Sequence, residues 1–131
     1  FGRLPSLLAR AFEAALEVQE TVKQLLLPGI TGGEIYAAAA AVAQKLGFAG
    51  HFMGVGRTQA PYVGHGVGLE FDELPVLGKN SPHQLTVDTV VAVEPKFIFP
   101  GLGMVGLENT WHITASGPVK LSLTADEHVI L

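Results

Sequence analysis

Apolar residues recur at helical spacing from Leu7 to about Leu27. Leu8, Phe12, Ala15, Val18, Val22, Leu25 and Leu26 form one stripe, and Glu13, Glu17, Glu20 and Lys23 supply the polar side. Steps of three and four residues bring such positions onto one face, so the spacing predicts a helix with one buried side. Pro5-Ser6 opens it, with Ser6 the expected N-cap, and Pro28-Gly29 stops it. A second helix follows without a linker. Thr31-Gly32-Gly33-Glu34 has capping-box spacing, in which threonine and glutamate each satisfy an orphan N–H of the first turn. The alanines from Ala37 to Ala41 let this helix approach a neighbour closely, and Gly47 ends it after Leu46.

Beyond Gly47 the pattern is that of strands. His51 to Val55 reads as a short strand, the Arg57–Pro61 segment as a loop, and Val63–Phe71 as an extended segment carried through its glycines. Glu73-Leu74-Pro75-Val76-Leu77 leads into a polar loop from Gly78 to His83. Thr89–Phe99 and Met104–Thr114 read as strands joined by Pro100-Gly101-Leu102-Gly103, with edge pieces at Gly117–Leu123 and Glu127–Leu131. Two helices followed by antiparallel strands make an α+β pattern, with the helices covering one face of the sheet. Trp111 and the phenylalanines are expected in the core.

Composition narrows the function. The 131 residues fit one domain or a large piece of one. With 48% hydrophobic and 15% charged residues, a core is expected and disorder is not. A net charge of −4 without a basic run argues against nucleic acid and against an anionic membrane surface. The chain has no cysteine, which excludes disulfides, thiolate metal sites and cysteine nucleophiles, and suits the cytoplasm. No apolar run reaches the roughly 20 residues that span a bilayer. The opening Phe1-Gly2-Arg3-Leu4-Pro5 has no initiator methionine and reads like a strand leaving into a turn, so the expectation is a piece cut from a longer protein.

The candidate chemistry centres on Tyr62-Val63-Gly64-His65-Gly66-Val67-Gly68-Leu69-Glu70-Phe71-Asp72-Glu73. Glycines around His65 let other groups come close. Its expected companions are Glu94 and Glu108. If the later hairpin turns at Gly101, these two lie equally far from the turn and face each other on one side of the sheet, beside Ala92, Lys96, Gly106 and Thr110. Facing carboxylates that are shielded from water take a proton or find a cation. Two carboxylates and an imidazole suit zinc, manganese, iron or cobalt. The residues alone leave two plainer readings open: Lys96 neutralises the glutamates in a structural cluster, and His65 is a packed histidine. The glycines are no phosphate loop, because no helix start follows them and Glu70, Asp72 and Glu73 repel phosphate. His51, His83, His112 and His128 are scattered, and His112 alone falls near the proposed site.

Gly64-His65-Gly66-Val67-Gly68-Leu69-Glu70, then Val93-Glu94-Pro95, then Leu107-Glu108-Asn109-Thr110 resemble three successive motifs of the pita-bread metallopeptidases. These include aminopeptidase P, prolidase and methionine aminopeptidase, with creatinase sharing the fold without metals. The resemblance covers nearly the whole chain and implies that residues 1–131 are the C-terminal half of such a catalytic domain. It implies that His65, Glu94 and Glu108 are ligands of a dinuclear manganese, zinc or cobalt centre, with Glu108 bridging and the two glutamates catalytic. It implies hydrolysis of the amide bond of short peptides, Xaa-Pro aminopeptidase or dipeptidase chemistry, in a protein that is often a homodimer. The family's two aspartate ligands precede the first helix, so the piece is expected to lack a complete site and to be inactive alone. There are three departures. Pro61 and Asp72 stand where one branch has substrate-binding histidines, which makes Asp72 a candidate substrate contact, and Asn109 stands in place of an aspartate. Two rivals remain: a creatinase-like metal-free C–N hydrolase, and a non-catalytic module that binds a peptide or partner.

Overall fold

The computed structural model describes residues 3–127. Helix α1 spans Ser6–Leu25 and buries Leu8, Ala11, Ala14, Ala15, Val18, Gln19 and Val22. The expected stripe is there, with one polar member, Gln19, that hydropathy did not mark. Ser6 is not the N-cap. Pro5 holds that position in an extended conformation without a side-chain cap, and its carbonyl accepts the first intrahelical bond, from the Ala9 N–H at 2.9 Å. Ser6 therefore falls inside the first turn.

Helix α2, Gly32–Lys45, starts with the expected capping box. The Glu34 N–H donates to the Thr31 hydroxyl at 3.2 Å, and the Thr31 N–H donates to the Glu34 carboxylate at 2.9 Å. The Thr31 hydroxyl and amide hold the Glu34 carboxyl below the usual range. Thr31→Ala is expected to cost about 1 kcal/mol of stability, the ordinary worth of a threonine cap. Urea denaturation of the two chains measures it.

Seven strands follow: β1 (Tyr62–Gly66), β2 (Glu73–Gly78), β3 (Val90–Val93), β4 (Lys96–Phe99), β5 (Gly103–Gly106), β6 (Asn109–Thr114) and β7 (Gly117–Lys120). Five form an antiparallel sheet in the order β2-β1-β3-β6-β7, and β4 pairs with β5 separately. Val93 faces Asn109 and Lys96 faces Gly106, so both ladders are centred on Gly101, as expected. The two long strands are not continuous. Each breaks, at Glu94-Pro95 on one arm and Leu107-Glu108 on the other. Proline has no N–H to give a ladder, and its ring restricts the residue before it.

The sheet has two unlike faces. Val63, Val91, Val93, Trp111 and Ile113 join the core with the inner faces of α1 and α2. Phe97 completes that core, its ring 5.4 Å from Phe48 and 5.6 Å from Phe52. Alternation sends the neighbouring residues to the other face, where His65 lies across from Ala92, and Ala92 across from Thr110.

Three expectations are corrected. Residues His51 to Val55 are not a strand. Ala49–His51 is a 3-10 turn, Phe52 makes one bridge to Phe97, and positive φ at Met53 and Gly54 ends any extended run. The segment expected to stay extended to Phe71 leaves the sheet at Gly66. Phe71, expected in the core, sits on that turn and is exposed. The edge piece proposed at Glu127–Leu131 lies, beyond Glu127, outside the described residues. Among the described residues no helix is long and apolar enough to cross a membrane.

Candidate functional site

The glycines flanking His65 set its strand close to both neighbours. His65 itself is buried. Its Nδ1 lies 2.9 Å from the Gly66 carbonyl oxygen. A carbonyl only accepts, so Nδ1 carries a proton and donates it there, and Nε2 is the ring nitrogen turned the other way. That nitrogen lies 3.9 Å from Glu94 Oε1. On the other edge of the ring, Asp72 Oδ1 is 3.7 Å from Nδ1, and the Phe71 ring stands 5.9 Å away. The turn from Val67 to Asp72 thus folds back over the imidazole.

Glu94 is largely shielded, with a side chain 15% exposed. Its backbone N–H donates to the Val63 carbonyl at 2.9 Å, which ties it to the β1 strand two residues before His65. Its second carboxylate oxygen accepts from the Lys96 ammonium at 2.5 Å. Glu94 and Glu108 line one pocket of about 210 Å³ with Pro95, Lys96, Met104, Gly106 and Leu107. Glu108 is exposed.

The structure therefore brings His65 to Glu94, and Glu94 into a pocket with Glu108. It does not gather the three as a triad. Among the described residues no three His, Asp or Glu side chains come close enough together to hold a metal ion. Two donors, each about 2.1 Å from one ion, can be no more than about 4.2 Å apart. The gap from His65 to Glu94 meets that limit. A histidine that donates its other N–H to a backbone carbonyl is the usual posture of a metal-binding imidazole. The donor types and this one edge fit a divalent ion, with a lysine already in contact with the carboxylate.

Some functional neighbours were not anticipated. Gln19 of α1 reaches through the helix layer, its Nε2 donating to the Val93 carbonyl at 3.3 Å, directly before Glu94. Its position on the apolar stripe was the available signal. His112 shares the outer face but pairs with Asp88, Nε2 to Oδ1 at 3.0 Å. His51 is engaged elsewhere, its Nδ1–H donating to the Ile98 carbonyl at 2.8 Å, and His83 is exposed beside Ser81. His128 lies outside the described residues.

Asn109, the departure beside Glu108, is buried and donates to Asp126 at 2.9 Å, and Lys120 donates to the other oxygen at 2.9 Å. Burial pushes the Asp126 carboxyl up, but the hydrogen bonds from Lys120 and Asn109 and the Lys120 charge outweigh it and hold the group below its usual range. A carboxyl depressed in the folded state contributes stability above its unfolded value, near 3.9, and loses it as pH falls through the folded one. Asn109→Asp sets a second carboxylate against the first. It is expected to destabilise the chain at pH 7 by about 1–3 kcal/mol, and by less below about pH 4. Urea midpoints at the two pH values test this.

The sequence profile of metallopeptidase family M24 matches residues 1–115. The chain belongs to metallopeptidase family M24. A Xaa-Pro dipeptidase of Pyrococcus furiosus is 31% identical to this M24 chain over 116 residues, 88% of the chain and 31% of the relative. An agropine synthesis cyclase of Rhizobium rhizogenes is 32% identical over 117 residues, 87% of the chain and 27% of the relative. The solved structure of prolidase from Pyrococcus furiosus superposes with a TM-score of 0.85 at 29% identity, covering 95% of the chain and 35% of that structure. The M24 chain thus has the pita-bread fold and spans about a third of the length of these relatives.

Proposed function

We propose that this chain supplies His65, Glu94 and Glu108 to the divalent-metal centre of a longer M24 peptidase. That peptidase hydrolyses the amide bond of short peptides of the Xaa-Pro dipeptidase or aminopeptidase kind. The observation that carries the reading is the posture of His65, whose Nδ1 proton is committed to the Gly66 carbonyl while Nε2 faces Glu94. Two manganese, zinc or cobalt ions are the expected cofactor. When bound, such ions make water more acidic and polarise the scissile carbonyl. The chain's own residues do the rest. Gly66 holds the imidazole in one tautomer. Glu94 and Glu108 carry a proton towards the leaving amine. Asp72, on the turn over His65, meets the substrate.

The remaining ligands come from outside these 131 residues, so the chain alone is expected to be inactive. The working protein is proposed to be a homodimer. The test compares the isolated chain with its longer parent on Xaa-Pro dipeptides and longer Xaa-Pro peptides, with and without manganese. Metal-dependent cleavage by the parent alone is expected. A parent that neither retains metal nor cleaves with manganese, zinc or cobalt overturns the reading.

A second reading is favoured by the contact between Lys96 and Glu94. It is C–N chemistry without a metal on the same fold. Turnover of a guanidino substrate by metal-stripped parent is its signature.

A further inference from the structure

Glu94, in the break after β3, and Lys96, the first residue of β4, flank Pro95, and their side chains meet. The ammonium is bonded to Glu94 Oε2 while the imidazole of His65 faces Oε1. One shielded carboxylate is thus shared between a histidine on one edge and a cation on the other. The lysine stem lies there because its cross-strand neighbour is Gly106. A Cβ on Gly106 would lie 2.7 Å from Lys96 Cβ and 2.6 Å from the Pro95 carbonyl oxygen, closer than packed atoms come.

We propose that Lys96 is a resident cation of this site: it competes with a divalent ion for Glu94 and so sets the concentration at which metal enters. This rests on the metal-centre reading above. The physical basis is that two cations at one carboxylate repel each other, so a second must displace the first or push it aside. Removing the ammonium leaves Glu94 without its counter-charge, and the site then favours a metal ion more strongly.

The test is calorimetric titration of manganese into the longer parent, which carries the remaining ligands, and into three variants of it, with folding checked by circular dichroism. Lys96→Met keeps the stem and drops the charge. Lys96→Arg keeps the charge. Lys96→Met with Glu94→Gln removes the shared carboxylate. Coupling between two ligands at one group is typically roughly 5- to 150-fold. Manganese affinity is therefore expected to rise by about 5- to 150-fold in Lys96→Met. It is expected to stay near the original in Lys96→Arg, and to lose the gain in the double variant. Should Lys96→Met fail to fold, Lys96→Gln takes its place with the same expectation. Equal, measurable binding by the parent and the Met variant overturns the proposal and leaves the metal centre standing. Binding by neither overturns both. A gain that survives Glu94→Gln places the metal elsewhere and also overturns it.

Discussion

Gly64→Ala is expected to cost about 3 kcal/mol or more of folding stability, at the upper end of what overpacking does. Gly64 pairs with Val93 of β3 on one side and Leu77 of β2 on the other. A Cβ built on it lies 2.2 Å from the Ala92 carbonyl oxygen and 3.0 Å from Leu77 Cδ1. The oxygen is backbone of a strand held by β6 on its far side, so it cannot swing away. A nearby comparison sharpens the test. Gly68 would set its Cβ 2.2 Å from the Glu73 carboxylate, the far end of a flexible, half-buried side chain at the start of β2. Gly68→Ala is therefore expected within about 0.5 kcal/mol of the original, the usual range for surface changes. Urea unfolding of both variants separates the two cases. Equal, small effects would mean that β1 and β3 are not so closely set.

The same two glycines show what was legible in the sequence. That His65 stood among glycines could be read directly. That one glycine is needed by a carbonyl and another only by a movable side chain could not, because both contacts come from distant residues. The hairpin is a similar case. Its register about Gly101 followed from the turn alone, and Val93 opposite Asn109 and Lys96 opposite Gly106 bear it out. Register says which residues face each other. It does not say whether the arms stay together, and at Glu94-Pro95 they do not remain one ladder. Glu94 and Glu108 consequently share a pocket without closing on a common point with His65.

Local chemistry was read best. The capping box of α2 needs only Thr31 and Glu34 at their spacing, and it forms. The N-cap of α1 was misplaced by one residue because Pro5 supplies the extended entry that Ser6 was expected to provide. Contacts across the fold were read least well. Gln19 lies on an apolar stripe, and only the position of β3 beneath it reveals the Val93 carbonyl as its partner. The pairing of His112 with Asp88 depends on Asp88 taking a positive φ of 67° at the entry to β3. Lys96 is a similar case: a neutralising role beside both glutamates is one of the readings the residues leave open, and the structure pairs it with Glu94.

His65→Ala in the longer peptidase is expected to lower kcat/KM on Xaa-Pro substrates by at least about a hundredfold, since even supporting residues around a metal ligand are worth roughly 10–100-fold. The imidazole Nε2 lies 3.9 Å from Glu94 Oε1. Its loss removes a donor and leaves the carboxylate facing empty space on that side. The substitution also deletes a buried ring, so a fall in activity could come from a softened sheet. His65→Asn keeps a polar side chain in the same place and is the control: it too should lose metal and activity while melting close to the original. Metal content after dialysis, read beside the rate, decides the matter. A variant that keeps its metal and its rate would remove His65 from the centre. One that keeps its metal but loses its rate would make the imidazole a proton carrier or substrate contact and not a ligand.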